Sequence, residues 1–227
     1  MAVDRAATVQ SVGELETSIR DRTRTDRTFM NYLVYLFILS WITFGIAGIY
    51  YYFRRITRID AFTARKRRYH AALADFTERY AAASGKLDAV RGDVADLRHG
   101  LEEANGSALK SIGALKTLLL LVITLGLWSI VVLYQLNRAW DDRQRFEAAQ
   151  LDRLNKAWLK LGIVAYPVVF APDPSKRRNF WLNVVLVIVT LGIWGLVWDY
   201  RIYTDPNALF PAFHSVEDTV LTVARAA

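Results

Sequence analysis

The chain holds three histidines, His70, His99 and His214, and no cysteine. Zinc binding and acid–base catalysis need such side chains at short, fixed spacings, because the ligands or proton-transfer partners must converge on one point. There is no His-Glu-x-x-His, no pair of histidines four apart and no thiolate to complete a set, so the histidines read as surface residues of charged helices. Neither G-x-x-x-x-G-K-S/T nor G-x-S-x-G occurs, and Gly45-Ile46-Ala47-Gly48 is too short and too apolar to wrap a phosphate. Asp199, between Trp198 and Tyr200, is the acidic residue nearest the apolar sequence, with Arg201 or a neighbouring Arg as its expected partner. The expectation is no catalytic residue, no metal, no cofactor and no enzyme.

What the chain repeats is a packing phrase. Thr43-Phe44-Gly45-Ile46-Ala47, Thr124-Leu125-Gly126-Leu127-Trp128 and Thr190-Leu191-Gly192-Ile193-Trp194 share one pattern, each inside apolar sequence. Two residues after the Thr stands Gly, five after it a small residue (Gly48, Ser129, Gly195), and ten after it an aromatic one (Phe53, Tyr134, Tyr200). Small residues let helix backbones approach closely in lipid, so Thr43, Gly45, Gly48, Thr124, Gly126, Ser129, Thr190, Gly192 and Gly195 form an expected helix-packing motif. A second reading makes Thr-x-Gly the bend of a re-entrant hairpin, the Thr hydroxyl returning to a carbonyl one turn back. The phrase resembles the signature of a prokaryotic membrane family of unknown function, whose members carry Thr-Leu-Gly-Ile-Tyr followed by aromatic and basic residues. Copies two and three carry Trp where that family has Tyr. The resemblance implies membrane insertion without implying an activity.

The elements that must position these phrases follow from the uneven placement of the 53% of hydrophobic residues. Segments 29–53, 117–137 and 179–198 are uncharged runs of 25, 21 and 20 residues. Each matches the ~20 residues a helix needs to cross the hydrocarbon. They predict an all-α integral membrane protein with three repeated transmembrane (or re-entrant) helices and mostly cytosolic amphipathic helices forming a coiled-coil-like bundle; the resemblance implies that the membrane is the prokaryotic cytoplasmic one. If all three runs cross, one side receives fifteen Lys and Arg and the other fourteen. Spanning proteins normally show a basic bias, so this tie leaves orientation open and keeps the hairpin reading alive.

Between the runs the period becomes helical. Segment 1–28 opens with an amphipathic leader whose Val12, Leu15 and Ile19 share a face. In segment 54–116, Tyr69, Leu73, Phe76, Tyr80, Ala83, Leu87, Val90, Val94, Leu97 and Leu101 alternate spacings of four and three, a heptad seam. Ser84-Gly85 divides that segment and predicts an antiparallel hairpin there, with a second break at Asn105-Gly106-Ser107. Segment 138–178 predicts an amphipathic helix followed by an interfacial stretch broken by Pro167, Pro172 and Pro174. In segment 199–227, Asp205-Pro206-Asn207 predicts a turn and helix start, and Leu209, Phe213, Val216, Val220 and Val223 a last seam.

The net charge of +7 is concentrated beside the runs. Arg54, Arg55, Arg58, Arg65, Lys66, Arg67, Arg68, Lys176, Arg177 and Arg178 are therefore expected at anionic lipid headgroups, with no nucleic acid as partner. The expected function is a non-enzymatic membrane scaffold or accessory subunit, homo-oligomeric or part of a larger complex. A small transporter or pore component and a membrane-bending hairpin protein are the alternatives.

Overall fold

The computed structural model describes residues 2–26, 31–32, 34–39, 42–43 and 46–227, and no strand occurs among them. Helix α1 (Ala2–Arg20) lays Ser11, Leu15 and Ser18 against the long helix α2 (Ile46–Ala83), with the Ser18 hydroxyl donating to Arg65 O at 3.2 Å. Small side chains on that face let the two backbones approach. After α1 comes a single helical turn at Arg22–Thr25 and, further on, a π-helical stretch at Val34–Leu39.

Helix α2 ends where Gly85, at φ +70°, reverses the chain. Lys86 N–H donates to Ala81 O at 2.8 Å and Gly85 N–H to Ala82 O at 3.1 Å, the paired closure of a glycine-terminated helix. Helix α3 (Leu87–Gly106) then returns, burying Val90, Val94 and Leu97, while Arg98 bonds Asp75 and Glu78 across the pair.

Two more hairpins follow. Helix α4 (Ala114–Ile123) turns into α5 (Trp128–Leu161), and α6 (Phe180–Val189) turns into α7 (Ile193–Ala226). The long helices α2, α5 and α7 share one core, in which Phe62 meets Trp140, Phe210 and Phe213 edge-on or stacked at 5.3–5.6 Å, and Phe76 meets Trp158. Between α5 and α6 the chain is extended. Asn155 clamps Val168 through both its amide N–H and its carbonyl, and Phe170 stacks on Phe213 at 5.0 Å.

The expectation of an integral membrane bundle is overturned: among the described residues no helix is long and apolar enough to cross a membrane. The second and third apolar runs are broken at Thr-x-Gly. Helices α4 and α6 have ten residues each. At 1.5 Å per residue that is ~15 Å, half of the ~30 Å hydrocarbon. The partner helices α5 and α7 begin apolar and become charged. Neither the integral fold class nor the integral localisation follows from this fold, which is a bundle of helical hairpins.

The small-residue seam is also corrected. An added Cβ at Gly126 or Gly192 would meet nothing within 4 Å, so neither glycine brings helices together. Both lie at positive φ, +91° and +94°, and serve the turn. Gly195 faces Val187, and Gly48 faces the Tyr35 hydroxyl; Gly45 lies outside the described residues. The turn expected at Asp205-Pro206-Asn207 is absent, because α7 runs through Pro206 and Pro211. Arg178 holds Asp205 at 2.6 Å, and Pro206, Leu209 and Phe210 are buried beside it, which keeps the chain helical despite the missing N–H. One consequence is testable by urea denaturation: Gly192→Ala places a Cβ at positive φ and is expected to cost about 1–2 kcal/mol. A cost below about 0.3 kcal/mol would mean that the turn relaxes freely.

Candidate functional site

The second and third tips are each built by one threonine serving two helices. The Thr124 hydroxyl donates to Leu120 O at 2.7 Å and accepts from Trp128 N–H at 3.0 Å. Thr190 repeats this with Leu186 O at 2.7 Å and Trp194 N–H at 2.9 Å, and Thr43 accepts from Ala47 N–H at 2.9 Å. Gly126 N–H reaches Leu121 O, and Gly192 N–H reaches Val187 O, both at 2.8 Å. These bonds close helices α4 and α6 with Leu125 and Leu191 in the left-handed position, at φ 49° and 50°.

A leucine there opposes the local preference. The left-handed position usually belongs to glycine or asparagine, and another L-residue costs about 1–2 kcal/mol. Burial does not offset that cost, because Leu125 is 95% and Leu191 94% exposed. A strained residue that packs on nothing in its own chain points to use outside the fold.

All three tips lie at one end of the bundle. The long helices lead away from their tips side by side, so that Lys66, 23 residues after Thr43, meets Glu147, 23 residues after Thr124, at 2.6 Å. Nearer the tips, Tyr32 and Arg55 both bond Asp199, and Trp198 Nε1 donates to Asn137 Oδ1 at 2.8 Å. Above that level Ile42, Ile46, Ile49, Val122, Ile123, Ile188 and Val189 are all exposed, an accumulation of apolar side chains near the tips. Below it stand cations. Lys116 and Arg177 are exposed, Arg138 caps the Tyr134 ring and bonds its hydroxyl at 2.7 Å, and Arg201 lies over Trp194. Of the residues expected at headgroups, Arg54 and Arg177 are exposed beside this zone. Arg55 pairs with Asp199, Arg58 with Asn207, Lys176 with Asp173 and Asp205, and Arg178 with Asp205. Farther down, Arg67 bonds Leu109 O and Arg68 bonds Asp21.

Arg65 and Lys66 require a correction, since they are 0% and 1% exposed and face no headgroup. They form the centre of a buried ion network joining four parts of the chain. Arg65 grips both oxygens of Glu217 (α7) at 2.8 and 2.9 Å and Asp26 at 2.7 Å. Lys66 bridges Glu217 at 3.0 Å and Glu147 (α5) at 2.6 Å. His70 Nε2 lies 3.1 Å from Glu147, and His214 Nε2 lies 2.8 Å from Asp26. Burial opposes ionisation of Glu147, but Lys66 and His70 overcome it and hold the carboxyl at about 2. Burial pushes His70 down, against the pull of Glu147. Each carboxylate here is engaged by a cation, although Glu147 Oε1 has no hydrogen-bond partner, and the arrangement locks helices. Among the described residues no group of three or more His, Asp and Glu is placed to hold a metal.

The sequence contained a signal for this network. Counting back from Tyr69 by three lands on Lys66, a seam position, while Arg65 and Glu217 each stand one residue off the seam, beside Lys66 and Val216.

No known protein family, curated protein or solved structure matches this chain.

Proposed function

We propose that this protein is a non-enzymatic scaffold that docks on an anionic lipid surface by its three hairpin tips, leaving the ion-locked bundle outside as a platform for assembly. The observation that carries this reading is the pair of strained, fully exposed leucines, Leu125 and Leu191, at the apex of a charge-free zone above a ring of cations. The depth of that zone fits one leaflet. From the start of α7 at Ile193 to Asp199 is six residues of helix and from the start of α2 at Ile46 to Arg54 eight. These distances correspond to ~9 and ~12 Å, within the ~15 Å of half the hydrocarbon. Interfacial binding of this kind scales with buried apolar area and with attraction to anionic headgroups. A wet path lined by Thr43, Thr124 and Thr190 finds less support, because each hydroxyl is engaged inside its own tip.

The test is vesicle flotation with Leu125→Asn/Leu191→Asn. Asparagine tolerates the left-handed position, so the variant is expected to be at least as stable as the parent chain. The parent is expected to float with phosphatidylglycerol vesicles, less with phosphatidylcholine, and less again in high salt. Burying each leucine is worth ~1.5–3 kcal/mol, so the variant should bind at least about 100-fold more weakly. Equal flotation of parent and variant would refute the reading. So would a tip-dependent oligomer in sedimentation that ignores vesicles.

A further inference from the structure

Between α3 and α5, at the base of the second hairpin, lies an open groove with a volume of about 530 Å³, within the range of small-ligand sites. Its walls carry five cations, Lys110, Arg138, Arg143, Arg145 and Arg153, against two acids, Glu103 and Asp142. Asp142 is shared with Arg138 at 3.5 Å, and Arg145 pairs with Asp141 at 3.0 Å. Lys110 and Arg153 have no ion-pair partner among the described residues.

Two details separate this groove from a solvated basic face. Arg143 is buried, bonds only the neutral Ala139 O and Thr63 Oγ1, and leaves Nε with no partner. Burial pushes this guanidinium down to about 10, and the Asp60 and Asp142 carboxylates pull it only partly back. Second, Arg153 lies directly on the backbone of α3 at Gly100, where any Cβ would collide with its guanidinium. The glycine thus makes room for a cation that no carboxylate among the described residues holds.

The groove also sits at a particular level. Tyr134, the aromatic residue ten after Thr124, and Arg138, the first charge of α5, stand in its wall, and Ile112 in its lining leads into α4. This is the height at which the uncharged hairpin gives way to charged helix.

We propose that this groove binds a phosphate group, carried either by a lipid headgroup or by a soluble phosphate ester. A phosphate monoester supplies nearly two negative charges and several acceptor oxygens, which answers the excess of cations and gives their N–H groups acceptors. The lipid source rests on docking of the tips; the phosphate chemistry does not.

The experiment is calorimetric titration of the full chain with dihexanoyl phosphatidic acid below its micellar concentration, glycerol 3-phosphate and inorganic phosphate. Two variants accompany it: Lys110→Gln/Arg153→Gln, which breaks no ion pair, and Gly100→Ala, which displaces Arg153. Saturable binding of phosphatidic acid, weakened at least about tenfold in both variants while their flotation persists, is the expected result. Equal binding of glycerol 3-phosphate or inorganic phosphate supports the site and identifies the ligand as a soluble phosphate. Leu125→Asn/Leu191→Asn should titrate like the parent, so failure of tip docking and failure of the groove are read separately. No saturable binding of any phosphate probe, or binding indifferent to both variants, overturns the proposal.

Discussion

Glu217→Ala is expected to cost about 3–5 kcal/mol, the cost of removing one partner from a buried ion pair, and so to take a large part of an ordinary margin of ~5–15 kcal/mol. Glu217 is 0% exposed and accepts from Arg65 twice and from Lys66, while Arg22 Nε stands 3.3 Å away. Truncation strands these charges in a space that water does not reach, and only Asp26, Glu147 and Asp218 remain to answer them. Arg225→Ala serves as the comparison, because Arg225 meets Glu16 in an exposed pair on the same helix. It should cost less than about 1 kcal/mol. Urea denaturation of the two variants, read as midpoint shifts at constant slope, separates the cases. A Glu217→Ala cost as small as that of Arg225→Ala would show that Arg65 and Lys66 find water after all, and that the network does not lock the bundle.

The all-helical character was legible in the sequence, because seams such as Tyr69, Leu73 and Phe76 repeat at the helical period whatever they pack against. The hairpin tips were read less well, for a specific reason. Hydropathy counts uncharged residues and is blind to φ, so the run 117–137 counts as continuous although Leu125 and Gly126 turn it back. The usual sign of a helix end is glycine in the left-handed position. Here leucine occupies that position and the glycine comes one residue later. The near tie in basic residues, which sits badly with three crossings, fits the second and third runs leaving and returning at one end as hairpins. The network stayed hidden because charges are ordinarily assigned to surface, and Arg65-Lys66-Arg67-Arg68 looks like one cationic cluster. On the helix its members diverge: Lys66 on the seam and Arg65 beside it turn inward, while Arg68 faces Asp21 outside. Partners for Arg65 and Lys66 come from Asp26, Glu147 and Glu217, between 39 and 152 residues away in sequence, a distance no local pattern reports.

Acid is expected to weaken the fold in two windows. Burial pushes the His70 pKa below its ordinary 6.5, so the unfolded chain takes up a proton there before the folded one does. Stability from this residue is complete above about pH 6.5 and declines as pH falls below it. Glu147 acts lower. Its folded pKa of about 2 lies under the ordinary 4.5, so its contribution is complete above pH 4.5 and is lost as pH falls towards 2. A shift of this size corresponds to roughly 3 kcal/mol, shared with Lys66 and His70 on α2, and through Lys66 with Glu217 on α7. Asp26 and Asp218 are lowered as well and add to the same acid limb. Urea midpoints from pH 7.5, about one unit above the first window, down to pH 2.5, near the foot of the second, resolve the two steps. His70→Gln should flatten the first and leave the second. Glu147→Gln should start less stable at neutral pH, because Lys66 keeps only Glu217, and should then lose less between pH 4.5 and 2.5 than the parent. If Glu147→Gln instead follows the parent curve through that range, the carboxylate is not held ionised by Lys66 and His70, and the acid sensitivity belongs to Asp26 and Asp218 at the other end of the network.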